Sequence, residues 1–156
     1  MENTWKDSIR RGAVSGSVAS LLSTAALAAL GKRDSGSAIA PINSVSHWFW
    51  GDKAKHQEAV SAKFTLPGFV THHASAIFWA VLFERLAGRF LDRRSTLTTL
   101  EAAAAATAVA SFTDYKLTPY RLQPGFESRL TRTSMVGVYA AFGVGLALGA
   151  MLLRRD

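Results

Sequence analysis

Three long stretches of the chain carry no charged residue, and each is about the length of a membrane helix. They run over residues 12–31, 64–83 and 133–153. A helix needs about 20 consecutive apolar residues to cross the hydrocarbon core of a bilayer. The pattern therefore predicts transmembrane helices at about 12–31, 65–88 and 133–153.

A fourth apolar stretch, at about 96–115, is interrupted by one acid, Glu101, and residues 102–113 are free of charge. Glu101 falls in the first turn, where the headgroups are near and the positive end of the helix dipole favours a carboxylate. We therefore expect this stretch to span the membrane as well. The expected fold is all-α, a four-transmembrane-helix bundle that forms one integral membrane domain over residues 1–156.

The long connection between the first two predicted helices, residues 32–63, is not uniform. Pro41 precedes a short helix that we expect to begin near Ser44. The aromatic run at 46–51 is typical of the membrane–water interface, where Trp side chains concentrate. Residues 52–63 are compatible with a surface helix. The connection is therefore predicted to form an interfacial amphipathic and aromatic segment.

The basic residues lie in short groups beside the predicted helix ends, and the formal net charge is +7. The groups are Arg10-Arg11, Lys32-Arg33, Arg93-Arg94 and Arg154-Arg155. Such groups are typical of membrane flanks, where Lys and Arg meet anionic headgroups. We therefore expect the lipid bilayer, and no nucleic acid, as the partner of these charges. The absence of cysteine excludes disulfides, thiolate metal sites and a Cys nucleophile.

Four spans place both termini on the same side of the membrane. Nine of the eighteen Lys and Arg residues then fall on each side, so the positive-inside count is a tie. The shorter segments carry the denser clusters, and we therefore predict cytoplasmic termini. A cleaved secretory signal is the alternative for the first helix. Its apolar run is longer than the usual signal core and contains four serines, so we expect the helix to be retained.

Small residues recur every four positions in the first and the last predicted helix. They let two backbones approach closely where lipid provides no hydrophobic drive for packing. We expect these two helices to pack together, within one chain or between the copies of a homo-oligomer. The stripes include Gly12, Gly16, Gly137, Ala141, Gly145 and Gly149.

Ionisable residues within the predicted spans are the candidates for a functional site, because they are costly in a membrane. His72 and His73 lie about 100° apart near the start of the second helix, and Asp114 ends the third. The topology places these helix ends on the same face as residues 32–63 and 115–132. The candidates gathered on that face are His47, His72, His73, Asp114, Arg121 and Glu127.

A His–Asp pair can orient an imidazole for metal binding, relay a proton or act as a general base. One hypothesis is a divalent metal held by His72, His73 and Asp114, although no His-Glu-x-x-His spacing is present. Arg121 and Glu127 flank a turn and are expected to form an ion pair that fixes the loop. Simpler alternatives remain open: the histidines bond only carbonyls or headgroups, and Asp114 pairs with a neighbouring cation.

The pattern Gly68-x-x-Thr71-His72-x-x-x-Ser75-x-x-Phe78 opens the second predicted helix. It resembles the histidine-bearing helix of small uncharacterised bacterial inner-membrane proteins of the YagU type. This resemblance covers the second helix and implies a multi-pass protein of the bacterial inner (plasma) membrane without an established reaction.

Three hypotheses for the function follow. The first is a small membrane protein of transport, of ion or proton handling, or of stress adaptation that uses the His/Asp cluster. The second is a metal-dependent membrane enzyme with the His pair as ligands or base. The third is a structural or assembly subunit that packs through its Gly stripes.

Overall fold

A computed structural model describes residues 4–154, and every regular element in that range is helical. The long helices are α1 (Trp5–Ser35), α4 (Thr65–Leu91), α5 (Thr96–Phe112) and α6 (Arg132–Leu152), and the short ones are α2 (Ala40–Val45) and α3 (His47–Trp50). Tight 3₁₀ turns cover Gly51–His56, Tyr120–Leu122 and Phe126–Ser128, and a wider π turn covers Thr113–Leu117. The all-α prediction is confirmed.

Three helices, α1, α4 and α6, are long and apolar enough to cross a membrane. α5 has 17 residues, fewer than the roughly 20 that a span usually needs. α1 begins earlier than predicted because Thr4 caps it: the Thr4 hydroxyl accepts from the Asp7 amide (3.2 Å) and donates to the Asp7 carboxylate (2.6 Å). The charged residues outside the apolar stretch therefore continue the helix.

The segment between α1 and α4 differs from the prediction. The short helix α2 begins at Ala40, not near Ser44, and all of its residues are buried. The hydroxyl of Ser37 starts it by accepting from the amides of Ile39 and Ala40. The surface helix predicted over 52–63 is wrong, because a 3₁₀ turn ends at His56 and no helix covers residues 57–63.

A buried polar side chain of α2, Asn43, bonds the chain that follows the 3₁₀ turn and the start of α4. Its amide donates to the carbonyls of Gln57 (3.0 Å) and Ala59 (2.9 Å), and its oxygen accepts from the Thr65 hydroxyl (2.7 Å). Two backbone carbonyls of the extended chain after residue 56 thus accept hydrogen bonds from a side chain and not from another backbone amide. A buried amide is stable only when its partners are present, and here both ends are satisfied.

Close contacts divide the chain into two compact units, and each of the four long helices contributes residues to both. The described residues of the first unit are 4–22, 73–110 and 140–154. Its core is made mostly of alanines from α1, α4, α5 and α6, together with Phe83, Phe142 and Leu146. Small core residues allow helix backbones to come close together.

The second unit comprises residues 23–72 and 111–139. Its core contains Leu27, Ile42, Val45, Phe126 and Val138. α2 lies within it so tightly that a Cβ at Gly68 of α4 would be 2.1 Å from the carbonyl oxygen of Ile42. This unit therefore combines α2 and the loop before α6 with the ends of longer helices.

Candidate functional site

Most of the predicted polar residues belong to the second unit. His47, His72, Asp114, Arg121 and Glu127 lie in its residue ranges, whereas residue 73, the other histidine of the adjacent pair, belongs to the first unit. The connection before α4 and the loop before α6 supply three of these five side chains. We define the polar site as His72, Asp114, Tyr139 and the groups in contact with them within this unit.

His72 lies on α4, two turns after the helix begins, and is half-buried. Its Nε2 is 2.9 Å from the Ser23 hydroxyl of α1, a group that can donate or accept. The edge of the His72 ring meets the ring of Phe126, with the centroids 6.3 Å apart. The Ser23 hydroxyl and the Phe126 ring thus both contribute to holding the imidazole.

Asp114 lies in the π turn that continues α5. The turn forms because the Thr118 amide donates to the carbonyl of Thr113 (2.9 Å), which widens the last turn. Tyr139 of α6 donates its hydroxyl to Asp114 Oδ2 at 2.6 Å. This distance is typical of a hydrogen bond from a hydroxyl to a carboxylate.

Phe126 connects the two halves of the polar site. It is buried, and its ring lies 6.3 Å from the ring of His72 and 6.4 Å from the ring of Tyr139. The preceding Gly125 has a φ of +93°, which a side chain would strain, and a Cβ there would lie 2.6 Å from His47 Nδ1. A glycine at this position therefore lets the loop place the ring of Phe126 against the rings of His72 and Tyr139.

A second carboxylate lies next to the site. Glu127 accepts a long hydrogen bond of 3.4 Å from the Tyr115 hydroxyl, and the Tyr115 ring meets the Tyr139 ring edge-on at 6.2 Å. The predicted ion pair between Arg121 and Glu127 is wrong: within residues 4–154 no ion pair joins them, and Arg121 is exposed. Tyrosine, not arginine, is the partner of this acid.

His47 is buried at the start of α3. Its Nδ1 is 2.9 Å from the carbonyl oxygen of Ser44. Because a carbonyl only accepts, Nδ1 carries the proton and donates this bond. His47 therefore packs the loop at Gly125 against α2 and supports the polar site from outside it.

Two cations that sequence reasoning missed join the loops of this unit. The Lys55 ammonium donates to the Tyr120 hydroxyl (2.7 Å) and pairs with Asp52 (3.1 Å). Arg129 donates to the carbonyl of Lys55 (2.7 Å) and pairs with Glu58 (3.1 Å). Asp52 and Lys55 are only three residues apart, but no spacing signals the contacts of Lys55 with Tyr120 or of Arg129 with Lys55, since these partners lie more than sixty residues apart.

The Lys55 contacts also shift two ionisation equilibria. Burial acts to lower the pKa of Lys55, but its hydrogen bond to Tyr120 and its pairing with Asp52 outweigh burial and raise it. The hydrogen bond from Lys55 in turn lowers the pKa of Asp52 below its ordinary value of 3.8.

The metal hypothesis gains no support from the geometry. Within residues 4–154, no group of three or more His, Asp and Glu side chains is arranged to hold a metal ion. His72 and Asp114 each have a hydroxyl partner from Ser23 and Tyr139. These contacts suit proton exchange among oxygen and nitrogen atoms.

The glycines of α6 lie where a helix interface requires them. A Cβ at Gly145 would lie 2.3 Å from Cα of Ala19, and one at Gly149 would lie 2.4 Å from Cα of Ser15. The backbones of α1 and α6 therefore touch in the first unit. In the second unit, Gly137 is less crowded, since the nearest atom to its Cβ position belongs to a leucine side chain at 3.2 Å.

The small residues of α1 behave differently from the expectation. A Cβ at Gly12 would lie 2.7 Å from the backbone of Val81, and one at Gly16 would lie 2.6 Å from Cα of Ile77. Both neighbours are on α4, so these glycines pack against α4 and not α6. Ala141 of the α6 stripe is half-buried.

A buried ion network in the first unit was also missed. Arg154, just after α6, donates to both carboxylate oxygens of Glu84 (2.9 and 3.4 Å) and to Asp92 (2.9 Å). Arg11 of α1 reaches the same Asp92 oxygen at 3.3 Å. The sequence places these four charges near helix ends, but their pairing depends on how the helices pack.

Comparison of the chain with protein-family models, with curated protein sequences and with solved structures finds no match.

Proposed function

We propose that this chain is a four-span protein of the bacterial inner membrane, with cytoplasmic termini, that handles protons or small ions through its polar site. Three membrane-length helices support the location. α5 is apolar, and the π turn to Leu117 extends its 17 residues, which supports a fourth span. The resemblance of the helix around His72 to YagU-type proteins supports the bacterial inner membrane.

The observation that carries the proposal is the pair of hydrogen bonds on either side of Phe126. One joins His72 to Ser23, and the other joins Asp114 to Tyr139. Ionisable groups inside membrane helices are costly and usually mark ion or proton paths. The imidazole of a histidine can both bind and release a proton, which makes His72 a candidate for proton exchange.

In this proposal, His72 takes up and releases the proton, with Ser23 orienting its ring. Asp114 is the second proton-binding group, and Tyr139 stabilises its ionised form by donating to it. The ring of Phe126 contacts the rings of His72 and Tyr139 and so forms the apolar surface that the two groups share.

The test is proton flux into vesicles that contain the purified protein and a pH-sensitive dye, driven by a potassium diffusion potential. We expect His72→Ala and Asp114→Asn each to reduce the flux at least tenfold. His56→Ala is the matched control, because His56 is exposed in the same unit and should leave the flux unchanged. Flux no greater than in protein-free vesicles, or equal in all variants, would refute the proposal.

The rival hypotheses have weaker support. A metal-dependent enzyme would need a ligand set, and none is formed within residues 4–154. An assembly subunit that packs through Gly stripes would need those glycines at its surface. Gly145 and Gly149 are instead buried against α1 of the same chain.

A further inference from the structure

Three exposed arginines follow one another at the end of α4. Arg89 lies in the last turn of the helix, and Arg93 and Arg94 lie just beyond it. The Arg93 guanidinium lies over the ring of Phe90, 5.3 Å from its centroid. All three belong to the first unit.

Among residues 4–154, the acids of this unit form no ion pair with these arginines. Asp92, the nearest acid in sequence, already binds Arg11 and Arg154, and Glu84 binds Arg154 as well. The carboxylate of Asp7 accepts a hydrogen bond from the hydroxyl of Thr4 in the cap of α1. Glu101 is exposed, and in the part of the chain that the structure describes it forms no ion pair with any of the three.

Large apolar side chains are exposed beside the arginines. Leu86 and Phe90 on α4 and Leu97 on α5 are 78%, 49% and 66% exposed. A membrane-length helix thus ends with an apolar surface beside three exposed arginines that form no ion pair with an acid of residues 4–154. This sequence of surfaces matches the boundary between acyl chains and phosphate headgroups in a bilayer.

We propose that Arg89, Arg93 and Arg94 bind the phosphate groups of anionic phospholipids. The planar guanidinium fork donates two parallel hydrogen bonds to phosphate oxygens, which a lysine ammonium does not. The segment also lies on the side that we predict to be cytoplasmic, where anionic lipids are abundant. A basic residue near an anionic surface contributes roughly a fivefold gain in binding.

Native mass spectrometry can count the lipids that remain bound to the protein. The protein in detergent micelles is mixed with equal concentrations of phosphatidylglycerol and phosphatidylcholine. We expect preferential retention of phosphatidylglycerol, and a loss of this preference by about fivefold for Arg93→Gln alone. The variant with all three arginines changed to Gln should retain the two lipids about equally.

The matched control replaces three exposed lysines of the second unit, Lys53, Lys63 and Lys116, by Gln and so removes the same charge. We expect it to keep the preference for phosphatidylglycerol. Helix content by circular dichroism checks that each variant is folded. No preference in the unaltered protein, or an equal loss in both triple variants, would overturn the proposal, since total charge would then explain the binding.

Discussion

The ion pair between Arg154 and Glu84 is the contact whose removal should affect the stability of this protein most. The two side chains are 6% and 1% exposed, and Arg154 reaches both oxygens of the carboxylate. Arg154 also donates to the carbonyl of Ala150 (3.2 Å) and to Asp92. One side chain therefore joins the end of α6 to α4 at several points.

Arg154→Ala leaves the carboxylate of Glu84 buried without its guanidinium partner. Breaking a buried pair in this way costs about 3–5 kcal/mol, because the desolvation of the remaining charge is no longer offset by the partner that was removed. The double variant Glu84→Met with Arg154→Met removes both charges and replaces them with apolar side chains of similar length. Its expected cost is close to zero, since desolvation of the pair offsets most of its attraction.

The assay is unfolding of the purified protein in dodecyl maltoside micelles by increasing sodium dodecyl sulfate, followed by helix circular dichroism. Arg93→Ala is the control, since Arg93 is exposed and a surface change should cost less than about 0.5 kcal/mol. A cost below about 1 kcal/mol for Arg154→Ala would refute the reasoning. A double variant as unstable as Arg154→Ala would refute it too, because the loss would then come from packing.

Three further predictions concern other parts of the chain. Gly145→Ala should destabilise the protein by about 1–3 kcal/mol in the same unfolding assay, because its Cβ would meet the α1 backbone, whereas Gly137→Ala should cost less than about 1 kcal/mol. Arg94→Gly should stabilise the protein by about 0.5–1 kcal/mol, since Arg94 has a φ of +58° that glycine adopts freely; an unchanged unfolding midpoint would contradict this. The pKa of Asp52, followed by NMR of its carboxyl carbon, should lie below 3.8 and return towards that value in Lys55→Gln. The stability that this pair contributes should be fully present above pH 3.8 and be lost as the pH falls through the lowered pKa of Asp52. If the difference in stability between the unaltered protein and Lys55→Gln persisted in stronger acid, this prediction would be contradicted.

The helices were largely predictable because charge is excluded from apolar stretches. The predicted spans at 12–31, 65–88 and 133–153 correspond to α1, α4 and α6. The errors fall at the ends and in the connections. Helix ends extend into charged residues that favour helix in water. The start of α2 was predicted too late, because the hydroxyl of Ser37 begins the helix by accepting from the amides of Ile39 and Ala40.

Topology predicted which segments would carry the polar site, whereas the bonding within the site was not predicted. The connection before α4 and the loop before α6 were expected on one face, and both have residues in the second unit. Asp114 accepts a hydrogen bond from Tyr139, which lies within an uncharged stretch of the sequence and was not predicted as a site residue. Phe126 was equally unmarked, since only its contacts with two rings distinguish it.

The sequence by itself determined that the chain is helical and that at least three of its helices can cross a membrane. These properties depend on the length and polarity of segments, which are additive along the chain. The tertiary structure alone decided that Glu84 meets Arg154, that Gly16 meets α4, and that His72 meets Ser23. Such pairings depend on the rotation of each helix about its axis and on the reach of each side chain. Neither can be predicted from the spacing of residues along a single helix.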